Sequence, residues 1–531
     1  MNGDRRETRF IVVASIIFLL LAATPLAVGY QSQTADSRFG GAVFDRPDYA
    51  VHRAAMNLGL AGEWRYRFQF SGQDQQGAFV KQFYILLGHI ARLTRIEPEY
   101  FYLIALLTGN LFLCLAVFRL ARELFPTALA RRAFFLLALW GSGLGWLQLL
   151  IGWLPSPEIS PIDFWLVDIY PFFGMLLFPH FSIVLALDVL MLSIGLQFLS
   201  SPTWRAATQV ASIGVAAQLI QPYSPLVIDV VLGALLIFGW AKRTPKPLKT
   251  ISVDTRRQFV GLGLIASAQT PLLLYTIWVF QTNPAFRQFG DQNITLTPPY
   301  LSVLLGVGAF IPAAMIGLPG RPTPTRLAAI FWLIFAFALA YFPWNLQRRF
   351  LAGITLPLAA LCVLGLQKIH SRLPEQSWVK RRTSLLLAVF IVLSGLSSSY
   401  LVAGTSWYLS QKPTQFFDPI DLVDAIVWLE DRGENGDLVL ASERTSLVVV
   451  AQSNLRVFSG HPIETLGYTS AREQVEQFYS GQLNLEWLQE GGIDWVIYGP
   501  FEPEHTEGFP DSEILQSAFQ SGAVQIFRVL P

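Results

Sequence analysis

Eleven apolar runs, most of them close to the length of a bilayer-crossing helix, constrain this chain more than any motif does. A helix needs roughly 20 residues to cross the hydrocarbon core. The runs lie at about 10–29, 99–119, 133–153, 179–199, 207–221, 224–241, 259–280, 300–318, 327–343, 351–367 and 384–403. The fifth is short and ends at Gln221-Pro222-Tyr223, so a broken or re-entrant segment is an alternative there. Composition agrees: 53% of the 531 residues are hydrophobic and 14% are charged, against about 25% charged in ordinary globular proteins. The expected fold class is a polytopic α-helical membrane protein with about eleven transmembrane helices and a small C-terminal α/β soluble domain.

The first run is read as an uncleaved anchor. Its apolar stretch exceeds the ~7–15 residues of a signal-peptide core, although Ala22 and Ala23 are small enough for a cleavage site. The net charge of +1, with no long basic run, gives no reason to expect nucleic acid. Cys114 and Cys362 sit inside apolar runs and read as buried hydrophobes rather than a metal or disulfide pair.

Lysine and arginine mark the cytoplasmic side of a multi-pass protein. Arg5, Arg6 and Arg9 precede the first run. Arg119, Arg122, Arg131 and Arg132 separate the second from the third. Lys242, Arg243, Lys246 and Lys249 follow the sixth, and Lys368, Arg372, Lys380, Arg381 and Arg382 follow the tenth. Alternating spans place all of these inside. No Lys or Arg occurs between Arg132 and Arg205, a stretch that includes a loop expected outside. The expected topology is a plasma (inner) membrane protein with a cytoplasmic N-terminus and an extracytoplasmic tail.

Three regions follow: a membrane domain over 1–403, its long first external segment at 30–98, and a soluble domain over 404–531. In the segment, FVKQFYILLGHIARL (79–93) sets Phe79, Phe83, Leu86, Leu87 and Ile90 on one helical face, as an interfacial helix would. In the soluble domain, Asp418 is expected to cap a helix with Pro419 in its first position. The runs 437–442, 447–451, 494–499 and 523–530 read as strands, with helices near 470–480 and 484–490. Alternating helices and strands imply a partly parallel sheet.

Polar residues that break this pattern are the candidate site. FDRPDYAVHRA (44–54) packs Asp45, Asp48, His52 and two arginines into an external loop just past the first helix. A carboxylate held against a membrane bundle loses solvent and becomes a workable general base; the plain alternative is a solvated acid. Lys81 follows in the interfacial helix. The second external loop, 161–181, carries Asp163, Asp168, Tyr170 and His180 on an aromatic surface, either a lipid and sugar contact or an aromatic belt. Arg348 and Arg349 stand at the outer end of the tenth helix. Guanidinium groups bind phosphate bidentately, so the pair suits a lipid phosphate, with snorkelling to headgroups as the alternative. Asp188 and Asp229 lie within spans, where a charge is costly and functional by default. His461, in Gly460-His461-Pro462-Ile463-Glu464-Thr465, reads as a loop residue, and Gly290-Asp291-Gln292-Asn293 is too short to diagnose. No Walker sequence, dinucleotide fingerprint or His/Cys metal spacing occurs. No cofactor is expected, with a divalent metal left open.

The order of parts resembles the GT-C superfamily of membrane glycosyltransferases, especially the branch of protein O-mannosyltransferases and the lipid A arabinose transferase. FDRPDYAVHRAAMNLGLAGEW resembles that family's acidic motif and amphipathic helix. FVKQFYILLGHIARL with EYFYLIALLTGNLFLCLAVFRLAREL resembles the approach to its second span, and QRRFLAGITLPLAAL is similar to a stretch of uncharacterised bacterial members. The mannosyltransferase branch carries a His-Pro-Pro triplet where this chain has Gln76-Gly77-Ala78-Phe79, and its acids are often adjacent. Donor and acceptor therefore do not transfer.

The resemblance implies transfer from a polyprenyl-phosphate sugar to a glycan, lipid or protein hydroxyl. Asp48 or Asp45 would be the base, Arg348 and Arg349 would face the leaving phosphate, and Asp168, Tyr170, His180, Lys81 and His52 would hold sugar or lipid head. A transporter or lipid flippase would also have many spans, but it often shows two related halves, which this sequence lacks. A non-catalytic scaffold with an external binding domain would need neither the acids nor the arginines.

Overall fold

The computed structural model describes residues 2–153, 159–242, 252–502 and 512–531. The basic loop residues Arg243, Lys246 and Lys249, used above for orientation, lie outside the described residues. Each of the eleven apolar runs is largely helical, and three of them are broken within the run. Among the described residues, five helices are long and apolar enough to cross a membrane, and eight spans result if each bent pair counts as one. The bent pairs are Ala128–Trp140 with Gly145–Ile151, Tyr300–Gly306 with Ile311–Gly317, and Thr383–Ser394 with Leu396–Ser410. The helices Trp204–Ile220, Leu226–Lys242 and Pro324–Ala340 have 17 residues each, about 26 Å at 1.5 Å per residue. That is slightly less than the ~30 Å hydrocarbon core.

The chain divides into two compact units. The first comprises Met1–Thr24, Ala105–Tyr275 and Thr295–Thr405. Its helices pack closely through small residues and side-chain staples. A methyl on Gly365 would stand 1.9 Å from the Ala313 carbonyl oxygen, and one on Gly317 2.0 Å from that of Leu361, so two backbones touch there. Asp163 is buried and serves as a staple. Its Oδ2 accepts from the Gly145 N–H at 2.9 Å and the Ser397 hydroxyl at 2.7 Å. Cys114 and Cys362 are free and buried.

The second unit comprises Pro25–Ile104, Thr276–Ile294 and Ser406–Pro531. A short antiparallel ribbon pairs β1 (Ser37–Phe39) with β2 (Phe417–Pro419). The main sheet contains β3 (Leu438–Leu440), β4 (Arg456–Val457), β5 (Trp495–Tyr498), β6 (Leu515–Ser521) and β7 (Val524–Val529), in the order β4-β3-β5-β7-β6. The β4-β3-β5 ladders are parallel and the other two antiparallel, which matches the mixed sheet expected. Ala50, Val51 and Ala54 of the Arg46–Ala61 helix share one buried core with Leu422, Ile426, Val448, Val449 and Ile526. Asn57 ties this helix down further. Its Nδ2 donates to the carbonyls of Val450 at 3.1 Å, Ala451 at 3.3 Å and Ser453 at 2.9 Å, satisfying the last carbonyls of another helix.

Several local expectations change. Residues 447–451, LVVVA, are not a strand but part of the helix Glu443–Gln452. Ser442 caps it by accepting from the Thr445 N–H, and the helix buries Val448, Val449 and Val450. Capping and burial outweigh the β preference of a valine run. Asp418 is not an N-cap; Pro419 holds that position for the helix Ile420–Arg432. The Asp418 carboxylate instead pairs with Arg46, both side chains being almost fully buried. Gly290-Asp291-Gln292 closes a helix, Pro284–Gln292, rather than standing in a loop. The helix Gln82–Thr94 buries Tyr84, Ile85, Leu87, Gly88 and Ala91, while Phe79 and Leu86, on the face expected from sequence, are exposed.

Candidate active site

The two acids past the first helix are not in a loop. Asp45 is the N-cap of the Arg46–Ala61 helix, Pro47 stands in its first turn, and Asp48 follows. The Asp45 Oδ1 accepts the Asp48 backbone N–H at 3.1 Å, so this carboxylate satisfies a helix end. Asp48 lies where the helix dipole favours an anion, and its side chain is 43% exposed. Within the acidic pair, one carboxylate caps the helix and the other is presented outward.

Asp48 Oδ1 lies 3.4 Å from His461 Nε2. His461 is buried in the turn after β4. Its Nδ1 accepts from the backbone N–H groups of Ile463 and Glu464, both at 3.1 Å. A ring nitrogen that receives two N–H donors carries no proton, which places the ring proton on Nε2, toward Asp48. The turn is itself held. Thr465 Oγ1 accepts from the N–H groups of Gly460 and His461 at 3.1 Å each. Gln292 donates to the carbonyls of Thr465 at 2.9 Å and Ile463 at 3.2 Å and accepts from the Gly467 N–H at 3.2 Å.

Glu464 in the same turn is buried. It accepts from Lys81 Nζ at 2.5 Å and from the Tyr66 hydroxyl at 2.6 Å. Burial, followed by the neighbouring Glu464 charge, raises the Tyr66 pKa well above its ordinary value, so the phenol keeps its proton and donates. Lys81 therefore has its charge matched inside the unit. Lys81 also adopts a left-handed backbone, with φ of 53°. His52 stacks on Tyr84, with ring centroids 4.1 Å apart and planes within 11°.

The remaining candidates belong to the first unit. Arg348 and Arg349 ride on the 3-10 turn Gln347–Leu351. Arg349 reaches Asp168 Oδ1 at 3.1 Å, and Arg348 Nε lies 3.8 Å from Asp168 Oδ2. The Gly353 N–H donates to the Asp168 carbonyl at 2.9 Å; Gly353 has a φ of +66°, a conformation that suits glycine. Two guanidiniums thus face one carboxylate. Arg349 borders a cleft of about 430 Å³, its open mouth included, lined also by Asp168, Tyr170, Asp188, Gln221 and Ser224 among others. Tyr170 is buried and donates to the Gly306 carbonyl at 2.7 Å. Gln221 and Ser224 come from the break at Gln221-Pro222-Tyr223, and the Ser224 hydroxyl bonds to Asp188. Phe181 lines this cleft, whereas His180 lies against Phe178 and Phe181. Asp229 accepts from Gln269 at 3.2 Å. Among the described residues, no three His, Cys, Asp or Glu side chains are grouped as metal ligands.

No known family's sequence model matches the chain, and no curated protein matches it in sequence. Among solved structures, it is similar to the mycobacterial arabinofuranosyltransferase AftD, with a TM-score of 0.51 and 16% identity. The fold is GT-C. The similarity covers 98% of this chain and 41% of AftD, so the chain spans about two-fifths of that protein's length. This likeness speaks to fold, and the roles of individual residues rest on the geometry above. Sequence reasoning passed over the pairing of His461 with the acidic helix and the hold of Gln292 on the His461 turn. The available signal was a Gly-His-Pro turn directly after a strand, together with a polar Gly-Asp-Gln-Asn.

Proposed function

We propose that this chain is a membrane glycosyltransferase that moves a sugar from a polyprenyl-phosphate donor to a hydroxyl of an extracytoplasmic glycan, lipid or protein. The observation that carries the reading is Asp48: a half-exposed carboxylate on the first turn of a rigid helix, with its neighbour Asp45 taken up as the cap. In the proposed step, Asp48 takes the proton from the acceptor hydroxyl as that oxygen attacks the anomeric carbon. The bond from the anomeric carbon to the phosphate oxygen breaks, and polyprenyl phosphate leaves. One direct displacement inverts the anomeric configuration. Arg348 and Arg349 supply positive charge where the leaving phosphate gains negative charge, a contribution that grows toward the transition state. The route needs no cofactor. It places the N-terminus in the cytoplasm and the tail outside a plasma (inner) membrane, with the GT-C fold and the distribution of basic loops as support.

The test is discharge of a lipid-linked sugar. Purified protein in lipid vesicles is incubated with a panel of radiolabelled polyprenyl-phosphate sugars, arabinofuranose included, and a mixture of glycan acceptors. The reading expects label to leave the lipid for at least one donor and appear in a water-soluble or glycan fraction with inverted configuration. Transbilayer movement of intact donor without discharge would favour a flippase.

A further inference from the structure

His461 has a geometry that a loop residue does not require. It is buried, its Nδ1 accepts two backbone N–H groups, and its Nε2 faces Asp48. With Nδ1 occupied by the Ile463 and Glu464 N–H groups, Nε2 must carry the proton, and that nitrogen lies 3.4 Å from Asp48 Oδ1. The turn that sets the ring is fixed from three directions: Thr465 from within, Gln292 from the Pro284–Gln292 helix, and Glu464 through Lys81 and Tyr66. A carboxylate with one oxygen held by a fixed donor presents its other oxygen in a defined direction, which a general base needs.

We propose that His461 is a positioning residue for the reaction, donating its Nε2 proton to Asp48 Oδ1 so that Oδ2 is aimed at the acceptor hydroxyl. The inference rests on the reading of Asp48 as the base. It also gives the C-terminal α/β region a task in chemistry: supplying the turn that orients the base. Because its Nδ1 is committed to backbone donors, His461 itself holds its proton and does not relay it.

Two measurements test this on the full-length protein in lipid vesicles. First, His461→Ala and His461→Gln are compared with wild type on the donor that wild type discharges. Glutamine keeps one acceptor and one donor. His461→Ala should lower kcat roughly tenfold or more, the order expected for one charge-assisted hydrogen bond, with the KM for lipid donor unchanged. His461→Gln should recover part of that loss. Second, the chain has six histidines, so nitrogen-15 histidine labelling identifies the His461 signals as those missing from His461→Gln. They should show the Nε2–H tautomer in wild type and in Asp48→Asn. Full activity of His461→Ala, a loss confined to donor KM, a glutamine variant no better than alanine, or an Nδ1–H tautomer would overturn the inference. If Asp48→Asn is inactive while His461→Ala is fully active, only the positioning role fails. If Asp48→Asn is active, the base reading fails first.

Discussion

At the scale of single residues, the two arginines are not equivalent. Arg349 is hydrogen-bonded to Asp168, while Arg348 stands further off and its side chain is more exposed, at 29% against 20%. Arg348→Ala is therefore expected to raise the KM for lipid donor about tenfold with little change in melting temperature. Arg349→Ala should also lower the melting temperature, because it leaves the buried Asp168 carboxylate poorly matched. Equal effects of both on stability, measured by thermal unfolding in detergent, would contradict this division. The acids divide similarly. An Asp-x-Pro-Asp string is a helix start, with a cap, a proline in the first turn and an acid near the positive end of the dipole. That signal was legible in FDRPDYAVHRA, but reading the stretch as a loop obscured which acid was the cap. The pairing of Arg46 with Asp418 was not legible, because 372 positions separate the partners.

At the scale of elements, two contacts carry much of the second unit. The Arg46–Ala61 and Gln82–Thr94 helices cross backbone to backbone. A methyl on Gly88 would stand 1.9 Å from the Met56 carbonyl oxygen, and one on Gly59 2.1 Å from that of Ile85. Gly88→Ala should therefore destabilise this unit by at least ~2 kcal/mol, since the obstacle is backbone rather than a movable side chain. Unchanged thermal unfolding would show that the helices separate freely. The ribbon of β1 and β2 is joined to the same helix by the buried Arg46–Asp418 pair. Removing one member of such a pair costs ~3–5 kcal/mol, so Asp418→Ala should unfold at clearly lower denaturant than wild type, and a variant within ~1 kcal/mol of wild type would refute the buried charge pair. Helical periodicity and apolar length made the long helices readable, because lipid leaves few alternatives. Short elements were less readable: LVVVA has strand composition, and only its Ser442 cap and its burial make it a helix.

At the scale of the molecule, the second unit draws on three separated stretches of chain, with the segment after the first helix sharing a core with the C-terminal region. A linear reading follows apolar runs along the sequence and cannot show which distant stretches condense together. It therefore read the membrane class, and missed that the Gly-His-Pro turn meets the acidic helix. A fold like that of AftD does not fix the chemistry of a site, so the proposed transfer stands or falls on the Asp48 carboxylate. The most direct measurement is sugar discharge by Asp48→Asn and Asp45→Asn side by side. Asparagine still caps a helix, so Asp45→Asn should keep most activity, whereas Asp48→Asn should lose at least ~100-fold, as expected for removal of a general base, while still inserting in membranes and binding lipid donor. Full activity in Asp48→Asn would contradict the account.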